Sequence, residues 1–155
     1  MAYVIDTSVL SAMFRNYYPG RFKTLWRLFD EMTDGGLITS VREVYREIED
    51  RGGPELEWAD KHSGLFVVPD AKEAAYVASI YGVSHFQANI AKQKLLKGGK
   101  IADPFLIARA AVTGGTVVTM EQRRPNAAKI PNICDHFSVR CLDLEGFMEE
   151  RGWEF

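Results

Sequence analysis

No apolar run in this sequence approaches the roughly 20 residues that a membrane-spanning helix needs. The N-terminus has no basic start, and Asp6 interrupts its first hydrophobic stretch, which is unlike a secretory signal. A cytoplasmic protein is therefore expected. Cysteine is scarce: Cys134 and Cys141 lack the paired spacing of a zinc site and read as small buried hydrophobes. The three histidines, His62, His85 and His136, are scattered without ligand spacing and read as surface or packing residues. Net charge is also low, at −2. A chain that grips nucleic acid broadly by its phosphates carries a basic excess. The balance weighs against such a binder but not against a small metal-dependent site, whose clustered carboxylates would themselves lower the total.

What the sequence does have is core-forming material. A hydrophobic fraction of 46% and nine Phe in 155 residues exclude disorder and suit one domain over residues 1–155. Tyr3-Val4-Ile5 reads as a buried strand that stops at Asp6-Thr7-Ser8, and a helix is expected from Val9 to Phe14. A second helix is expected from about Arg21 to Met32. Leu37-Ile38-Thr39 reads as a strand, with Ser40 capping a helix that carries Glu43, Val44, Glu47 and Ile48. Leu65 to Val68 makes a third strand, followed by helices over about Ala71–Tyr81 and Ser84–Leu96 and the basic loop Lys97-Gly98-Gly99-Lys100. Asp103-Pro104 opens another helix as N-cap and first residue. Thr116 to Thr119 is a strand, and a polar loop from Glu121 to Asn132 leads to a last strand near Val139–Leu142. A short helix starts near Leu144. Strands alternating with helices imply an α/β domain with a mainly parallel central sheet flanked by helices.

In such sheets, functional groups collect at the carboxyl ends of strands. Asp6 follows the first strand, Glu121 follows the Thr116–Thr119 strand, Asp103 opens the helix leading into it, and Glu47 lies on the helix after the second strand. Four carboxylates from distant segments can converge there. Hard cations such as Mg²⁺ or Mn²⁺ take oxygen ligands and retain waters, so a few carboxylates suffice. Each acid also has a structural reading: Asp6 and Asp103 as helix caps, Glu47 with Glu43 on a solvated face beside Arg42 and Arg46, Glu121 as a loop residue.

Together these residues resemble the PIN-domain nucleases, the fold of many prokaryotic toxin ribonucleases. The matching pieces run from Tyr3 to Leu10, Glu43 to Ile48, Ala102 to Ala108 and Val117 to Glu121, in family order. A closer likeness is to the PIN-like DUF4411 group, through Tyr17-Tyr18-Pro19, Leu25-Trp26, Leu56-Glu57-Trp58 and Ile130-Pro131-Asn132-Ile133-Cys134. The resemblance implies that Asp6, Glu47, Asp103 and Glu121 are both catalytic and metal-holding, with Mg²⁺ or Mn²⁺ assisting attack of water on an RNA phosphodiester. Thr7 or Thr119 would orient a carboxylate through its hydroxyl. Two departures stand out. Glu121 occupies a position where Asp is common, and Glu43 rivals Glu47, whose Val44-x-x-Glu47-Ile48 framing matches better.

The same resemblance implies an RNA substrate, an antitoxin partner and a homodimer, and the lack of a long apolar run implies no membrane partner. Two basic stretches, Lys92, Lys94, Lys97 and Lys100, and then Arg123, Arg124 and Lys129, are candidate phosphate contacts or solvated faces. The aromatics Tyr17, Tyr18, Phe22 and Trp26 are either packing residues or a partner surface. The competing functions are a non-catalytic PIN-fold module that binds nucleic acid or protein, and a Mg²⁺-dependent phosphatase using Asp6 as nucleophile. The phosphatase pattern needs a second acid two residues on, where this chain has Ser8.

Overall fold

Strand β1 (Tyr3–Ile5) is only three residues long, all buried, and runs through the middle of the sheet. The computed structural model describes residues 1–96 and 101–155, so the expected basic loop from Lys97 to Lys100 lies outside the described residues. After β1 come α1 (Thr7–Asn16), α2 (Lys23–Asp34), β2 (Ile38–Val41), α3 (Arg42–Arg51) and α4 (Gly53–Lys61). A 3₁₀ turn (Ser63–Leu65) precedes β3 (Phe66–Val67), α5 (Ala71–Tyr81), α6 (Ser84–Leu96) and α7 (Asp103–Thr113). The chain ends with β4 (Thr116–Val118), α8 (Ile130–Phe137), β5 (Cys141–Leu142) and α9 (Leu144–Arg151).

The five strands stand in the order β3-β2-β1-β4-β5, and every pairing is parallel. Tyr3 lies opposite Ile38 and Thr116, and Ile5 opposite Val118. Parallel strands need crossover connections, and helices supply them, so β1, β2 and β4 are buried on both faces. This is the α/β class and the parallel, helix-flanked sheet expected from the sequence. The core runs from Ile5 and Ile38 through Phe29 and Ile48 to Leu106, Ile107 and Phe147. No helix among the described residues is long and apolar enough to cross a membrane.

Boundaries differ from expectation where tertiary contacts decide them. Ser40 is not a helix cap: it sits inside β2, and its hydroxyl donates to the Ile5 carbonyl at 2.8 Å, joining β2 to β1. Val41 takes the cap position of α3 without a side-chain bond. Asp103 is the first residue of α7 rather than its cap, which is Ala102. The expected loop up to Asn132 and strand from Val139 hide α8, which starts at Ile130 with Pro131 in its first turn, a favourable place for a residue without an N–H. Its buried Ile130, Ile133 and Cys134 form an apolar face, which explains why the segment folds as a helix. The Tyr17–Trp26 aromatics mostly pack inward: Trp26 against Phe14 and Phe29, Tyr17 against Phe22, while Tyr18 is exposed. The histidines pack on aromatics as well, His62 on Trp58, His85 on Phe86 and His136 on Phe137.

One close approach constrains the β1–β4 junction. A Cβ on Gly115 would lie 2.7 Å from the Ala2 carbonyl oxygen, which accepts the Thr116 N–H. Gly115→Ala should therefore lower the unfolding free energy by about 1–3 kcal/mol in urea denaturation. Gly64→Ala, with nothing near its Cβ position, should move it by less than about 1 kcal/mol. Equal effects would show that the approach is not a constraint.

Candidate active site

The chain lays β1, β2 and β3 outward in one direction, then returns to place β4 and β5 on the other side of β1. The connections leaving β1 and β4 at their carboxyl ends therefore diverge, and such a switch point is where open α/β sheets form a crevice for ligands. Asp6 follows β1 there, and Thr119, Met120 and Glu121 follow β4.

Asp6 continues the extended backbone of β1 and caps α1, its Oδ1 accepting the Thr7 N–H at 2.8 Å. The cap reading of the sequence is thus correct, but it is only part of what this side chain does. Oδ2 accepts from the Ser8 hydroxyl at 2.7 Å and from the Thr119 hydroxyl at 3.0 Å. Each hydroxyl in turn accepts an N–H of the segment after β4: Ser8 Oγ that of Met120 at 3.0 Å, across from the other strand, and Thr119 Oγ1 that of Glu121, two residues on in its own segment, at 3.1 Å. Two relays therefore tie the buried Asp6 carboxylate to the segment bearing Glu121. A carboxylate offers about four acceptor positions, and these contacts fill three. Of the two threonines expected to orient a carboxylate, Thr119 uses its hydroxyl and Thr7 its backbone N–H. The sequence reading missed this role of Ser8, whose bond to Asp6 joins two side chains.

On the β2 side, a cavity of about 430 Å³ is lined by Arg42, Glu43, Arg46, Tyr81, Lys94, Ile101 and Phe105. Asp103 is 2% exposed at the start of α7, between two of these lining residues. Burial, and then the Asp103 charge, push the Tyr81 phenol above its usual pKa, so it remains a neutral hydroxyl. Glu43 is 8% exposed in the first turn of α3. Its Oε1 accepts from Arg42 Nη2 at 2.9 Å, and its Oε2 is buried without a hydrogen-bond partner among the described residues. Glu47 stands one turn further along the same helix and is half-buried.

Glu121 is placed by its N–H, and its carboxylate lies 4.0 Å from Lys129 Nζ. Arg123 does not face this site unencumbered: it holds Asp135 of α8 through two bonds of 2.7 and 2.9 Å. Among the described residues no three His, Cys, Asp or Glu side chains are already grouped to hold a metal ion. Mg²⁺ does not demand such a cage, since it keeps several waters and binds through one or two carboxylates plus substrate. The remaining acceptor position on Asp6 and the Oε2 of Glu43 are oxygen donors of that kind. The donor chemistry fits a hard divalent cation.

Residues 3–155 match the family described as Domain of unknown function (DUF4411). The chain belongs to the DUF4411 family. The likeness drawn from the sequence to the DUF4411 group is thus borne out for nearly the whole chain. No curated protein matches it. Among solved structures, VapBC2 from Rickettsia felis bound to a DNA fragment from their promoter is similar at 16% identity and a TM-score of 0.44, over 82% of this chain and 96% of that one.

The DUF4411 chain also brings both its thiols to this edge. Cys141 lines a cavity of about 350 Å³ with Thr119, Glu121, Arg123 and Asp143. A hydrogen bond from the Cys134 thiol, reinforced by Arg123 against the opposing effect of burial, holds the Cys141 thiol below its usual pKa. The same bond, and then burial, push Cys134 far up. Below the ordinary thiol pKa, iodoacetamide should therefore label Cys141 and spare Cys134, because the thiolate is the nucleophile. Arg123→Gln should shift the labelling profile to higher pH. Peptide mass spectrometry reads both results, and preferential labelling of Cys134 would contradict the assignment.

Proposed function

We propose that this protein is a metal-dependent endoribonuclease, a nuclease of the PIN type, in which Asp6, Glu47, Asp103 and Glu121 hold Mg²⁺ or Mn²⁺ and Glu43 joins them. The observation that carries this reading is the Asp6 carboxylate, fixed at the sheet's switch point and tied through Ser8 and Thr119 to the segment bearing Glu121. A purely structural cap needs one hydrogen bond. This carboxylate is given three, which is the preorganisation a cation ligand requires.

When bound, the cation supplies Lewis-acid polarisation of the phosphodiester and activation of a water. The protein's own groups divide the remaining work. Asp6 and Asp103 hold the cation at the carboxyl edge. Ser8 and Thr119 keep Asp6 aimed, as hydrogen-bonded second partners do for metal ligands. One of Glu43 and Glu47 would accept the proton from the attacking water while the other stays with the cation. Lys129, beside Glu121, neutralises a neighbouring phosphate of the strand.

The toxin role, with an antitoxin and a homodimer as partners, belongs to the same reading and follows from the family likeness. The phosphatase alternative loses ground because Ser8, standing where that chemistry needs an acid, donates to the Asp6 carboxylate instead.

The test is cleavage of a mixed RNA substrate with Mn²⁺ or Mg²⁺. Wild type should cut, chelation should stop it, and Asp6→Asn and Asp103→Asn should each reduce the rate by on the order of 100-fold or more. Glu43→Gln and Glu47→Gln, measured side by side, assign the acid on α3. Metal-dependent cutting that survives both Asn substitutions would remove the proposed site. Failure to cut any RNA or single-stranded DNA would transfer the fold to the non-catalytic binding module.

A further inference from the structure

Neither cysteine has a part in the nuclease reading, yet the fold brings the two together. Cys134 lies on the buried face of α8, and Cys141 is the first residue of the edge strand β5. The chain folds back between them. Ser138 ends α8 in the left-handed conformation at φ 56°, and the Val139 N–H donates to the Cys134 carbonyl at 2.9 Å. β5 then pairs with β4, placing Cys141 opposite Val117. A helix end and a strand register thus hold two free thiols within hydrogen-bond reach of each other.

Their access to solvent is unequal. Cys134 is 0% exposed. Cys141 is half-buried and lines the cavity of about 350 Å³ that it shares with Thr119, Glu121 and Arg123, so a small solute can reach it. Arg123, pinned by its two bonds to Asp135, fixes a positive charge beside that cavity, which favours a thiolate there. A pair of inert packing residues is the duller reading, and it suits Cys134 alone. It gives no account of the cavity opening onto Cys141 or of the second thiol set against it. An accessible thiol beside a fixed cation, with a second thiol in contact, is the arrangement that oxidants select.

We propose that Cys141 is a peroxide-reactive thiol and Cys134 its resolving partner, so that oxidation closes a disulfide between α8 and β5. The Cys141 sulfur attacks one oxygen of hydrogen peroxide. An S–O bond forms, the O–O bond breaks, and the departing hydroxide takes a proton to leave as water. Sulfur is thereby oxidised to the sulfenic acid and the peroxide reduced. The Cys134 sulfur then attacks the Cys141 sulfur, forming the S–S bond and breaking the S–O bond. The Cys134 proton leaves with the displaced hydroxide as a second water. A dithiol reductant reverses the result by thiol–disulfide exchange. The inference uses neither metal nor RNA, so it goes beyond the nuclease reading and stands or falls apart from it.

The test is a peptide map of the full chain after a small molar excess of hydrogen peroxide at neutral pH. Remaining thiols are blocked with N-ethylmaleimide, and the protein is digested with trypsin without reduction. Trypsin cuts after Lys129, Arg140 and Arg151, which puts the two cysteines on separate peptides, Ile130–Arg140 and Cys141–Arg151. These should appear joined, with the intact protein still a single chain and lighter by two hydrogens. In Cys134→Ala, dimedone should trap the sulfenic acid on Cys141. In Cys141→Ala, Cys134 should stay reduced under the same treatment.

Unlinked peptides, whether both cysteines stay reduced or Cys141 runs on to the sulfinic acid, would overturn the pairing. So would a disulfide-linked dimer in place of the internal bridge. Oxidation of Cys134 in Cys141→Ala would overturn the order of the two steps. The wild-type map decides the pairing even where Cys134→Ala fails to fold.

Discussion

Two hydroxyl groups, those of Ser8 and Thr119, donate to one oxygen of Asp6 and accept N–H groups from the segment after β4. The rest of the carboxyl edge depends on this arrangement. Strands β1 and β4 are each three residues long, so the ladder between them provides few bonds before the two connections part at the switch point. Beyond the last pair, Ile5 with Val118, the side-chain relays take over from the backbone ladder. Hydrogen bonds to a charged acceptor are each worth about 1.5–3 kcal/mol, enough to set where the following loop lies. The same bonds that stiffen the fold thus fix the position of a carboxylate relative to Glu121.

Much of this was legible in the sequence, and the parts that were not share a physical cause. Strand–helix alternation gave the parallel sheet, and Asp at the end of a short apolar strand marked the crevice. Ser40 was misread because a serine before a helix suits a cap as well as it suits a strand whose hydroxyl meets a neighbouring carbonyl, and only the partner strand decides. The assignment of Asp103 slipped by one residue for a related reason: Ala102 lacks a capping side chain, so local preference pointed to the wrong residue. Helix α8 was hidden in part by the polar stretch before it, although Pro131 and the apolar residues Ile130, Ile133 and Cys134 carry its signature. Strand order, and with it the switch point between β1 and β4, has no local signal at all.

The low net charge looks awkward for the proposed nuclease, but total charge is the wrong quantity at this scale. Screening in physiological salt limits exposed charges to about 8 Å, so a phosphate near the edge senses only its neighbours. Arg123 is committed to Asp135, which removes one cation that the sequence seemed to offer. Lys129 on the β4 side and Arg42, Arg46 and Lys94 on the β2 side flank the carboxylates instead. In the proposed reading these cations would take phosphates on either side of the metal-holding acids, without a basic surface overall.

The geometry of α3 sharpens the choice that spacing left open. Glu43 and Glu47 share a helix face, so periodicity cannot separate them. Their heights differ, however. The helix starts directly after β2 and rises about 1.5 Å per residue, which places Glu47 about 6 Å further from the sheet edge along the axis. Glu43 is in the first turn, where the N-terminal end of the helix favours a negative charge. It is also the acid whose second oxygen is buried without a hydrogen-bond partner among the described residues, at a cost of about 1–3 kcal/mol for such a group. Sequence framing favours Glu47 and burial in the first turn favours Glu43, so in the proposed reading the helix offers two acids one turn apart.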